Sequence, residues 1–172
     1  MIRLAGAALV VASATLLGFR ASEALDIAYR EAEDLHRILC MLQGEIRYAR
    51  SFLGEALLQI AGSQKDPYKA WLRALHGKME RRQEGSLPAI WEETTRQYLG
   101  GLALGREEKE RLGGLGLYLG SADAQMQIRH LELYARHLEE VMEEMRRRIK
   151  MQKKLYRILG MSGGILAAVL LI

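Results

Sequence analysis

Apolar residues follow two patterns along this chain. They run together at both ends, over residues 4–19 between Arg3 and Arg20 and over residues 158–172 after Arg157, and between the runs they recur every three or four positions. The runs predict membrane spans and the periodic region predicts amphipathic helices. Each run is short: 16 or 15 helical residues reach roughly 22–24 Å at ~1.5 Å per residue, against a hydrocarbon core of about 30 Å. Flanking arginines that extend to the interface, local thinning of the bilayer, and lengthening of the spans by Ile2 and by the segment around Leu155 and Tyr156 make up the difference. A cleaved signal peptide is the alternative for the first run, fitted by Arg3 and the small residues Ala12, Ser13 and Ala14. No break separates Phe19 from the charged helix that follows, which favours a retained span. The expected division is an N-terminal transmembrane segment at 1–20, a helical body at 21–154 and a C-terminal transmembrane segment at 155–172.

Within the body no segment alternates with period two, and the two prolines stand at helix starts. The first helix runs from the membrane to about Arg50, with Leu35, Ile38, Leu42 and Ile46 on one stripe. A short second helix carries Leu53, Leu57 and Ile60 and ends at Gly62. Asp66 and Pro67 mark the start of a third, because a capping carboxylate precedes a residue whose missing N–H is not needed in the first turn. Trp71, Leu75 and Met79 share its inner face, and Gly85 closes it. Ser86 caps a fourth helix with Pro88 in its first turn, Ile90 and Trp91 inward and Gly100–Gly101 as the stop. A fifth begins near Arg106, places acids in its first turn where the helix dipole favours them, and buries Leu112, Leu115 and Leu119. The sixth starts near Ala122 and carries Leu131, Tyr134, Leu138, Val141, Met145 and Ile149. That seam suits a partner helix of the same bundle, in preference to a coiled coil between copies. The predicted fold is all-α: a six-helix antiparallel bundle whose first and last helices extend into the bilayer.

Charge orients this body. The net charge is +4, yet Arg146, Arg147, Arg148, Lys150, Lys153, Lys154 and Arg157 stand together just before the second span. Removing those seven with Arg3 and Arg20 from 25 basic residues leaves 16 against 21 acids, so the body carries about −5. Basic residues beside a span mark the cytosolic side. The body is therefore expected in the cytosol with both termini outward, the basic cluster gripping anionic membrane lipid. An acidic body argues against nucleic acid.

Catalytic chemistry does not stand out. The single Cys40 cannot form an internal disulfide and reads as a core thiol; His36, one turn earlier, is a weak candidate base. The histidines at 36, 76, 130 and 137 include no pair four residues apart on a helix, so no metal site is expected. Gly114-x-Gly116-x-x-x-Gly120 lacks the preceding strand and the lysine of a phosphate loop. These glycines read instead as letting two helices approach and then ending one. Glu107–Glu108 and Glu139–Glu140 lie one turn from basic residues, as on solvated helix faces. No cofactor and no enzymatic activity are expected. In the second span Gly160, Gly164 and Ala168 line one face with small residues, a packing surface for the first span, with Ala8, Ala12 and Thr15, or for another copy.

The chain resembles the stage III sporulation protein AB family of endospore-forming bacteria over its whole length. The resemblance rests on residues 42–48 (Leu-Gln-Gly-Glu-Ile-Arg-Tyr), the amphipathic helix around Ala56, Leu57, Ile60 and Ala61, the Leu119-Gly120-x-x-Asp123 turn with Gln127 beyond it, and Lys154-Leu155-Tyr156-Arg157-x-Leu159-Gly160 entering the last span. Phe52 departs from the pattern, since proteins of this group tend to have proline there. The family is similar to the cytoplasmic helical domain of the inner-membrane platform proteins of type II secretion and type IV pilus machines. The resemblance implies a platform subunit of the channel-like complex joining mother cell and forespore. It would be seated in the mother-cell membrane around the forespore, with a secretion-type ATPase and other membrane subunits as partners. Glu92, Glu93, Glu107 and Glu108, expected to be exposed, form the candidate partner surface. The rival reading is a membrane adaptor or sensor that binds a different soluble regulator.

Overall fold

The computed structural model describes residues 2–49, 52–81, 85–120 and 123–171; for residues 2–22, 153 and 156–171 it describes the backbone alone. Helix α1 (Ile2–Gly44) ends in a π-helical turn (Glu45–Ala49), followed by α2 (Leu53–Ala61), α3 (Tyr68–Glu80), α4 (Leu87–Leu99), α5 (Arg106–Gly114), α6 (Gly116–Leu119) and α7 (Ala124–Leu171). No strand occurs among the described residues. Apart from the exposed Leu155, the side chains of the two expected spans lie outside those described, including Arg157, Gly160, Gly164 and Ala168, as does that of Lys153. Among the described residues no helix is long and apolar enough to cross a membrane.

The core follows the predicted stripes. Leu35, Ile38, Leu42 and Ile46 are buried, joined by Ala32 and Leu39, and in the same cluster lie Leu131, Tyr134 and Leu138; farther along the last helix Ile149 is buried and Val141 and Met145 are half-buried. The seam of the last helix is thus filled within the chain. Two side-chain pairs fix the sense: His36 Nε2 lies 3.0 Å from Glu139 Oε1, and Arg47 3.9 Å from Glu132. Numbers rise along α1 as they fall along α7, so the two helices are antiparallel. Trp71 and Trp91 centre the rest. Their rings meet edge to face at 5.3 Å and 74°, an arrangement the ring quadrupoles favour. Each indole is satisfied, Trp71 Nε1 donating to Thr95 Oγ1 at 3.2 Å and Trp91 Nε1 to the Leu112 carbonyl at 2.8 Å.

Caps explain the boundaries. The Asp66 carboxylate accepts the Ala70 N–H at 3.1 Å, while Pro67 sits just before the first helical residue and not within it. Ser86 caps through its backbone alone, its carbonyl accepting the Ile90 N–H at 3.1 Å. Lys109 Nζ donates to the Gly100 and Leu102 carbonyls, both at 3.1 Å, so a cation satisfies orphan acceptors beyond the end of α4. Asp123 caps α7, accepting the Gln125 N–H at 2.9 Å. Gly85 adopts φ +153°, a conformation open to glycine. Buried tyrosines tie loop-distant backbone together. Tyr68 donates to the Glu31 carbonyl at 2.9 Å and Tyr134 to the Glu108 carbonyl at 2.7 Å. Burial, reinforced by nearby carboxylates, pushes both phenol pKa values up.

Two elements differ from expectation. The fifth helix breaks at Leu115 into α5 and α6, because a bend there presses Gly116 onto α4, where a Cβ would lie 2.6 Å from Trp91 Cβ and 3.1 Å from Pro88 Cα. The end of the first helix widens into the π-turn, which keeps Ile46 inward and leaves Tyr48 80% exposed. Phe52 precedes α2 at φ −64° and ψ 146°, values open to proline as well. The second helix therefore starts where expected.

Candidate functional site

An open groove of about 1330 Å³ separates the π-turn and the start of α2 from the first turns of α7. Ile46, Arg47, Phe52 and Leu53 line one side and Met126, His130 and Leu133 the other. Spacings of four and three put those last three residues on one face of α7, turned away from the buried Leu131, Tyr134 and Leu138. Large apolar side chains are left in water here: Phe52 is 81% exposed, Leu133 52% and Met126 46%. His130 stacks flat on Tyr118, ring centres 3.5 Å apart at 9°, which stiffens one wall. Small-molecule sites usually occupy about 300–1,000 Å³ and enclose their ligand. This larger, open trough suits a polypeptide.

Segments that carry the family resemblance meet at this groove. Ile46 and Arg47 come from residues 42–48, whereas Asp123 and Gln127 come from the Leu-Gly-x-x-Asp turn. The turn is held by its own side chains, since Gln127 Nε2 donates to the Leu119 carbonyl at 3.0 Å and Asp123 caps α7. The π-turn is braced similarly, Gln59 Nε2 donating to Glu45 at 3.1 Å.

The four acids named from sequence do not form one acidic patch. Glu92 and Glu93 are exposed on α4, and Glu93 pairs with Lys78 at 3.0 Å. Glu107 is exposed and bonded to Arg111 at 2.8 Å, and that hydrogen bond holds its carboxyl below the usual range. Glu108 corrects the expectation: its side chain is only 13% exposed, 4.0 Å from His137. Glu92 faces a smaller groove of about 450 Å³ between α4 and α5, among Arg96, Arg106, Lys109 and Glu110. Cations thus accompany these acids. In the basic cluster Arg146, Arg147, Arg148, Lys150 and Lys154 are exposed. Arg147 and Arg148 pair with Glu143 and Glu144 one turn earlier. Arg146, Lys150 and Lys154 recur every four residues along one helix face.

Cys40 is on the surface, not in the core. Its Sγ lies 3.7 Å from His36 Nε2, the same nitrogen that meets Glu139 at 3.0 Å. Partial desolvation and then the Glu139 charge push the thiol pKa up, the reverse of what a nucleophile needs. Alkylation by iodoacetamide at pH 8 is expected to be slower than for an unstructured cysteine peptide, and Glu139→Gln should speed it by removing a charge that opposes the thiolate. A rate at or above the peptide's would contradict this. Among the described residues no three His, Cys, Asp or Glu side chains could hold a metal ion.

Sequence reasoning missed the groove, although Met126, His130 and Leu133 form a second apolar face beside the core stripe. The body is all-helical among the described residues and carries an open trough lined by exposed apolar side chains alongside charged ones. The family model described as stage III sporulation protein AB matches residues 3–172. Stage III sporulation protein AB of Bacillus subtilis (strain 168) is 28% identical over 171 residues, 99% of each chain. A solved structure of a stage III sporulation protein AB (SpoIIIAB) superposes with a TM-score of 0.64 at 25% identity, covering 72% of this chain and 96% of that one. The chain belongs to the stage III sporulation protein AB family, whose role is in sporulation.

Proposed function

We propose that the protein is a non-enzymatic, membrane-anchored platform subunit of the mother cell to forespore channel complex, whose body docks a secretion-type ATPase. The observation that carries the docking role is the convergence of residues 42–48 and the Leu119–Asp123 turn on one open groove, seated on a rigidly capped bundle. The ATPase as occupant comes from the family resemblance. Two apolar terminal runs supply the anchors, with the body on the cytosolic side beside Arg146, Lys150 and Lys154. Those cations face anionic headgroups, each adding about 1 kcal/mol of attraction.

Full-length protein in lipid nanodiscs is expected to retain a secretion-type ATPase of the same organism, and retention should weaken with salt as the Debye length shortens from about 10 Å at 0.1 M to about 3 Å at 1 M. Absence of association with or without nucleotide, in lipid and in detergent, would defeat the docking role. The adaptor reading would then move ahead.

A further inference from the structure

We propose that the groove between the π-turn and the first turns of α7 receives an amphipathic helix of a partner protein, apolar along one face and flanked by carboxylates. This inference rests on the docking reading above and names the chemistry of what docks. The shape comes first. Met126 to Leu133 spans about 10 Å of α7 at ~1.5 Å per residue, two turns, with Phe52 exposed across the trough. Apolar anchors recurring every three or four residues on an incoming helix match that footprint.

The sign of the partner follows from how the groove's own charges are used. Its acids are engaged internally: Glu132 pairs with Arg136 at 2.6 Å and with Arg47 at 3.9 Å, and Asp123 caps α7. One cation is not: Arg129 is exposed and has no ion-pair partner among the described residues. A carboxylate on a docked helix would complete Arg129. A second copy of this chain fits less well. Two copies anchored in one membrane lie parallel, and the groove face of α7 continues by sequence spacing through Glu140, Glu144 and Arg147, so that each charge would oppose its like.

The test uses full-length protein in nanodiscs and two fluorescent 14-residue peptides with leucine at positions i, i+4, i+7 and i+11. One carries flanking glutamates and the other lysines. The glutamate peptide is expected to bind saturably. Its affinity should fall at least about tenfold in the Phe52→Ser, Leu133→Ser double variant, as for loss of interface anchors. Arg129→Glu should weaken it about fivefold or more and strengthen binding of the lysine peptide. All three positions are exposed, so melting curves should match wild type. Equal binding of both peptides by wild type, or binding indifferent to these variants, would overturn the proposal. So would a homodimer linked through Leu133→Cys in a Cys40→Ser background, which would make the groove a self-interface. If the groove variants still retain the ATPase, the groove assignment fails while the docking function stands. If wild type binds the glutamate peptide but not the ATPase, the docking function fails and the groove chemistry stands.

Discussion

Trp91→Ala is expected to remove about 3–5 kcal/mol of stability, the range for truncating a fully buried aromatic side chain. Trp91 is wholly buried at the junction of α3, α4, α5 and α6, edge to face with Trp71. The loss should fall toward the upper end, because the Leu112 carbonyl would also lose its 2.8 Å N–H partner, and an unmade buried bond costs about 1–3 kcal/mol on its own. Against a typical total of about 5–15 kcal/mol, the variant should be largely unfolded at 37 °C or melt far below wild type. Trp91→Phe separates the two parts. It keeps an aromatic ring beside Trp71 and removes the donor, so it should cost clearly less than the alanine. Urea unfolding followed by circular dichroism gives both values, and an alanine variant within about 1 kcal/mol of wild type would show that this junction does not organise the body.

Most of the body was legible in the sequence because local and long-range signals agree. The stripe Leu35, Ile38, Leu42, Ile46 and the stripe Leu131, Tyr134, Leu138 are each continuous over several turns, and both are buried. The stop at Gly100 and the start at Asp66 are written in residues that cap or end helices through their own atoms. What failed depends on neighbours that sequence spacing does not reveal. Cys40 lies next to buried Leu39 yet points outward, since one helical step is 100° and a core stripe is narrow. Glu108 sits in an acidic first turn, which reads as solvated, but packing of α5 on α7 covers it. The break at Leu115 is a tertiary event: an uninterrupted helix through 106–119 would not bring Gly116 into contact with Trp91.

Function was less legible than fold, for a related reason. Clustered carboxylates such as Glu107 and Glu108 attract notice in a sequence because their charge is local, yet in the fold they acquire partners on their own or adjacent helices. The groove is assembled from a π-turn and a helix start roughly 80 residues apart, and its exposed Phe52, Met126 and Leu133 look like core until the core cluster is seen to form without them. Exposed Phe52 and Leu133 are informative because large apolar side chains left in water near one another mark surfaces that meet something.

Gly116→Ala is expected to destabilise the body by about 1–3 kcal/mol, although alanine is the better helix former. The added methyl would lie 2.6 Å from Trp91 Cβ, 2.9 Å from Trp91 Cγ and 3.1 Å from Pro88 Cα. Those atoms belong to backbone or to the root of a buried side chain, so they cannot swing away as a lysine tip could. Relief requires α6 to move off α4, which opens the packing around the two tryptophans. Gly77→Ala supplies the opposite sign within the same molecule. Gly77 lies inside α3, and a Cβ there meets nothing within 4 Å, so the propensity gain of about 1 kcal/mol is realised. Thermal melts of the two variants, at about 2–4 °C per kcal/mol for a protein of this size, should therefore move in opposite directions from wild type. Movement of both upward would mean that α4 and α6 are not in the close contact that splits the fifth predicted helix.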